Sequence, residues 1–127
     1  MRSDGQQDAA LMLRIAQRDL KAARGMLDPE VFEEASWGYQ VQQATEKALK
    51  AWIACLGHPY PRTHDLALLC GLISDVGGDP APFRCLVNFS PFGARFRYDD
   101  IDPLGLDRAV WTQICADLVA HVASLLP

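Results

Sequence analysis

The chain reads as all-α, an antiparallel up-and-down bundle of four main helices and one short one. Three observations predict this. Apolar residues recur at steps of three and four through each long segment, proline- and glycine-rich breaks separate the segments, and no stretch alternates residue by residue as a strand does. At 127 residues the whole chain, 1–127, forms one domain, long enough to bury a core without staples.

The first helix is expected from about Asp8 to Leu27. Leu13, Ala16, Leu20, Ala23 and Leu27 form its apolar stripe, and Asp28-Pro29 ends it. The second, from about Glu30 to Leu56, is the longest. Trp37, Val41, Ala44, Ala48, Trp52 and Cys55 make one stripe; Phe32, Ala35 and Tyr39, continued by Leu49, Ile53 and Leu56, make another. A helix with two apolar flanks is either central to its own bundle or shares one flank with a second copy. Gly57-His58-Pro59 terminates it. Thr63 is placed to cap a third helix with Asp65 in its first turn, and Leu66, Leu69, Leu72, Ile73 and Val76 follow before Gly77-Gly78. Asp79-Pro80-Ala81-Pro82 opens a short fourth element through about Phe89, which Pro91 and Gly93 break. A loop rich in Arg, Asp and aromatics runs to Gly105. The last helix, from about Leu106 to Leu126, carries Val110, Ile114, Leu118, His121 and Leu125 on one face.

Composition removes several function classes. Half of the residues are apolar, which excludes disorder, and 12 basic against 16 acidic residues leave a net charge of −4. Broad neutralisation of nucleic-acid phosphates usually needs a basic domain. The charge-free run Ala51–Pro61 has eleven residues and two prolines, too short for a membrane span of about 18 or more. Met1-Arg2-Ser3-Asp4-Gly5 continues into polar residues without an apolar signal core, so a cytoplasmic location is expected. Cys55, Cys70, Cys85 and Cys115 are dispersed, with no C-x-x-C pair, and read as buried free thiols. Cys55 and His58 lack the second close pair that zinc needs, and Asp99-Asp100-Ile101-Asp102 lacks the spacing of a calcium loop. Neither a metal nor a cofactor is expected. His121, among Leu118, Val122 and Leu125, reads as a packing histidine.

Three clusters concentrate polar groups. Arg62-Thr63-His64-Asp65 stands at a helix entrance, where free amides, a guanidinium fork and an imidazole suit an anion; the same residues also serve as a cap and its ties. Gln42, Gln43, Glu46, Lys47 and Lys50 lie along one face of the second helix, with Glu46 and Lys50 in the favourable i, i+4 order; a solvated face laced by an ion pair is the simplest meaning. In Arg95-Phe96-Arg97-Tyr98 an extended loop would set arginines on one side and aromatics on the other, suited either to a base and its phosphate or to pinning the loop to the bundle.

Gln43-Ala44-Thr45-Glu46-Lys47-Ala48-Leu49-Lys50-Ala51 resembles the Q-x-x-E-K-x-x-K-A helix of the HEPN domain family, the nucleotide-binding domain of higher eukaryotes and prokaryotes. Pro61-Arg62-Thr63-His64-Asp65-Leu66 is similar to that family's P-x-T-H-D-L turn, and Arg97-Tyr98 to the Arg-Tyr pair that often precedes its acidic loop. The likeness extends over nearly the whole chain. It implies a helical bundle, usually a homodimer, often encoded beside a minimal nucleotidyltransferase, with some such pairs acting as toxin and antitoxin. Many relatives are metal-independent ribonucleases that use an Arg followed, after four to six residues, by a His. Here the histidines are His58, His64 and His121, and none has an Arg five to seven positions earlier, so those catalytic residues do not carry over.

The resemblance therefore implies a non-catalytic module that binds a nucleotide, RNA or a similar anion, or docks to a nucleotidyltransferase. Glu46, Lys50, Arg62, His64, Arg97 and Tyr98 would line its cleft: Lys50 and Arg62 on phosphate, Tyr98 stacked on a base, Glu46 orienting Lys50 or accepting from an amino group. The competing reading is a ribonuclease with a rearranged site. There His64 acts as the base and Arg62 or Arg97 steadies the phosphate.

Overall fold

The structure is a computed structural model that describes residues 3–93 and 103–127. Four α-helices, α1 (Asp4–Arg24), α2 (Glu34–Cys55), α3 (Leu66–Asp75) and α4 (Arg108–Ser124), are joined by a 3-10 segment, Ala81–Gly93, between α3 and α4. The all-helical bundle expected from the periodicity is what forms. No helix among the described residues is long and apolar enough to cross a membrane.

Helix boundaries follow local chemistry more closely than the apolar stripes. α1 begins four residues earlier than expected because Ser3 and Gln6 form a capping box, with Ser3 Oγ accepting from the Gln6 amide at 3.2 Å and Gln6 Oε1 from the Ser3 amide at 2.8 Å. α2 starts at Glu34 rather than Glu30, since Asp28 closes a turn on the amides of Glu30, Val31 and Phe32. The cap of α3 is Asp65, whose carboxylate takes the Leu68 amide at 3.2 Å; Thr63, the expected cap, instead accepts from the Asp65 amide. Asp107 caps α4 in the same way, through the Val110 amide.

Pro91 does not break the fourth element. The segment is 3-10 throughout and continues to Gly93. At three residues per turn, Phe83, Leu86, Phe89 and Phe92 fall on a single line, and all four pack on the core. Phe83 meets Trp52, Phe89 meets Trp37, and Phe92 lies so close to Gly38 that no side chain fits there. The segment thus runs back along α2.

α2 is the axis of the molecule. α1 lies antiparallel to it, with Gly5 beside Ala54 at one end; α4 follows it in the same sense, as the pairs Trp37–Thr112, Thr45–Cys115 and Trp52–His121 show. The first expected stripe of α2, as far as Trp52, and the Leu49 and Ile53 part of the second are buried within the chain, whereas Phe32, Ala35 and Tyr39 stay half-buried. The face of α4 matches the expected one at its centre, where Leu118 is buried and Ile114 packs on the core, and departs from it at both ends. Val110 and Leu125 are exposed, while Thr112, Cys115, Leu118, Val119 and Val122 turn inward. Of the cysteines, all free, only Cys70 and Cys115 are buried; Cys55 is half-buried and Cys85 exposed, against the expectation of four buried thiols.

Candidate functional site

The polar face of α2 is the main surprise. Positions 42, 46 and 50 lie one turn apart on one side of the helix, and the expected reading was a solvated face. Gln42 and Glu46 are in fact fully buried, and Lys50 nearly so. The cover is the connection between α2 and α3, which doubles back beside the helix and lays Tyr60 against Lys50 and His64 against Glu46.

Glu46 is a hub. One carboxylate oxygen, Oε1, accepts from Gln42 Nε2 at 3.0 Å and meets His64 Nδ1 at 2.8 Å. The other, Oε2, accepts from Lys47 Nζ at 2.8 Å and Lys50 Nζ at 3.2 Å. Four donors thus fill the four favourable positions of one carboxylate. Burial would raise its pKa, but the Lys47, His64 and Gln42 hydrogen bonds and the Lys47 charge outweigh that and hold it at about 2. Glu46 is therefore an anion at neutral pH, and its two lysines offset its desolvation.

A second ring of contacts stiffens the hub. Gln43 donates to Gln42 Oε1 at 2.6 Å, and Lys47 reaches Gln43 Oε1 at 3.5 Å. The Lys50 ammonium also lies 5.9 Å from the centre of the Tyr60 ring. Tyr60 donates to Asp8 Oδ1 at 3.1 Å, and burial together with that carboxylate pushes the phenol up to about 12. The network ties α1, α2 and the α2–α3 connection together.

The hub determines what His64 can do. An ionised carboxylate only accepts, so Nδ1 carries the proton in their hydrogen bond. The His64 side chain is 76% exposed. With Nδ1 engaged, Nε2 is the nitrogen left to solvent, and in the neutral ring it bears the free lone pair. This is an imidazole oriented by a buried carboxylate, an arrangement suited to accepting a proton or binding an electrophile.

Of the expected site residues, Glu46, Lys50 and His64 are brought together. Arg62, two positions before His64, is exposed and makes no hydrogen bond or ion pair with another described residue. Arg97 and Tyr98 lie outside the described residues; the flanking Gly93 packs on the Gln42 amide, and Leu104 and Leu106 donate to the Glu34 carboxylate at 2.7 and 3.0 Å. Glu46 pairs with Lys50. Glu46 has no access to a ligand amino group, and the Lys50 ammonium is committed to Glu46 and Tyr60. Lys47 is more open than Lys50, although its ammonium is held by the same Glu46 oxygen and also reaches Gln43 Oε1. Gln42 stood in the polar cluster of the second helix without a site role, and Tyr60 and Asp8 were missed. The signal for Gln42 was its one-turn spacing to Glu46, but Tyr60 and Asp8 are 52 positions apart and nothing local pairs them.

Among comparisons with known proteins, the model of the HEPN domain family matches residues 9–122. No curated protein and no solved structure matches the chain. The match takes in α2, the returning connection and most of α4, so the elements that build the Glu46 hub all lie inside it. The chain belongs to the HEPN domain family.

Proposed function

We propose that this chain is a non-catalytic binding module for the phosphate groups of a nucleotide or RNA, with Lys47, Arg62 and His64 as the contact rim and Glu46 and Lys50 as the buried support. The observation that carries the reading is the Glu46 hub, which holds Lys47 and His64 in place, the latter two positions after an exposed Arg62 that has no ion pair with another described residue. A pre-organised Lys47 ammonium loses less entropy on binding than a free surface lysine does, and His64 offers a phosphate an N–H from Nε2 only as the doubly protonated ring. Arg97 and Tyr98 belong to the same reading, the arginine for a second phosphate and the tyrosine for a base.

Calorimetry with ATP, GTP and a dinucleotide tests it. Arg62→Ala and Lys47→Ala should each weaken binding, and for a single-stranded RNA each lost contact should lower the salt slope by about 0.7. No heat with any of these ligands would remove the nucleotide reading. The same proposal includes a homodimer, or docking to a minimal nucleotidyltransferase in a toxin–antitoxin pair. Val31, Leu104 and Val110 offer exposed apolar surface for it, at the end where Arg108 ties α4 to the carbonyls of Met26 and Phe32. Sedimentation of the chain alone and with such an enzyme measures both.

A second reading, a metal-independent ribonuclease, is favoured by one observation: the free Nε2 of an imidazole whose other nitrogen rests on a buried carboxylate. His64 would take the proton of a ribose 2′-hydroxyl while Arg62 steadies the phosphate. Incubation with tRNA and mRNA, beside His64→Ala, decides it. Cleavage by the native chain that the variant loses makes the protein an enzyme.

A further inference from the structure

We infer that His64 is a phosphoryl-acceptor site: its Nε2 takes a phosphoryl group from a small donor with an activated P–N or acyl-phosphate bond. The inference goes beyond reversible binding and stands whether or not nucleotides bind.

Three features of the geometry support it. The Glu46 carboxylate holds Nδ1 at 2.8 Å, which fixes the ring and the tautomer and leaves Nε2 as the nucleophile. The side chain is 76% exposed, so a donor can approach along the line of attack. Lys47 pairs with the other oxygen of the same carboxylate, so the group that holds Nδ1 is itself held in place. The other histidines lack this set. His58 is exposed, but its ring has no hydrogen-bond partner among the described residues, and His121 is packed between Trp52 and Phe83.

The step balances without a redox partner. The Nε2 lone pair forms a bond to phosphorus while the donor's P–N or P–O bond breaks, and that electron pair leaves with the amine or carboxylate. With phosphoramidate, whose nitrogen is already protonated, ammonia departs. The ring gains positive charge, and the Nδ1 proton stays on the hydrogen bond to Glu46, whose carboxylate meets that charge. The product adds about −1.5 to −2 of charge at the exposed edge of the His64 ring.

The test compares histidines within one molecule. The full chain is incubated with phosphoramidate at neutral pH, and the modified positions are followed by peptide mass mapping and phosphorus NMR. His64 is expected to react about tenfold faster than His58, equivalent to about 1.4 kcal/mol of barrier. The product should be the Nε2 isomer, and His64→Gln should remove it. Glu46→Gln should bring the His64 rate down to that of His58. Because that variant can also loosen the fold, the native chain is run in parallel in strong urea, where the two rates should converge. Equal rates at His58 and His64 in the folded chain overturn the inference. So does a preference for His64 that persists in urea, since it would then come from local sequence and not from the Glu46 contact.

Discussion

Replacing Glu46 by Gln is the most direct probe of the buried hub. The side chain keeps its size, but the charge goes, and an amide NH2 now faces ammonium groups that need acceptors. The native carboxyl titrates at about 2 against an ordinary 4.5, so its ionised form contributes about 3 kcal/mol of stability at neutral pH, at about 1.4 kcal/mol per unit of pKa. The sign follows from the lowered value. The contribution is complete above the unfolded-state pKa and is lost as pH falls toward 2. By pH 3 less than half of it should remain. Urea unfolding of native chain and variant, followed by tryptophan fluorescence from pH 7 to pH 3, measures this. The variant should be about 3 kcal/mol less stable at pH 7, and the gap should narrow by about 2 kcal/mol by pH 3. Two stability curves that stay parallel across this range would show that Glu46 is not held ionised by its partners, and the reasoning about His64 would fall with it.

Three further outcomes are expected. Gly38→Ala places a methyl against the Phe92 ring and should cost about 1–3 kcal/mol by urea unfolding, because α2 and the 3-10 segment are in direct contact there. Thr112→Val leaves the buried Trp37 indole N–H, now 2.9 Å from Thr112 Oγ1, without its acceptor; a loss of about 1–3 kcal/mol is expected, while Thr112→Ser should lose much less. In alkylation at mildly alkaline pH, exposed Cys85 should react first and Cys115 last, since burial pushes the Cys115 thiol up to about 11 and it contacts Thr45; mass mapping over time shows the order.

How much was legible differs from element to element. The 3.6-residue stripes of α1 and α2 located both helices, yet their ends belonged to side chains outside the stripes: Ser3 with Gln6, and Asp28 on its own turn. The 3-10 segment carried a readable signal of another period, since Phe83, Leu86, Phe89 and Phe92 recur every three residues. A search for steps of three and four absorbs such a run into a short helix and stops it at the first inconvenient proline. On α4 the apolar stripe was right at Ile114 and Leu118 and wrong at its two ends. Val110 and Leu125 are as apolar as the residues that replaced them, and only contact with Trp37, Thr45 and Trp52 selects the face holding Thr112 and Cys115.

The site divides along the same line. Periodicity, caps and turn residues are local properties, and they determined a helical bundle with Glu46, Lys47 and Lys50 on one face of its longest helix. Whether that face meets water is not local. A carboxylate flanked by lysines is chemically at home in solvent, and it becomes a buried hub only because a segment ending 18 residues further on returns across it with Tyr60 and His64. Burial strengthens each contact to the carboxylate by removing competing water, and that is what turns a surface ion pair into the support for an exposed imidazole.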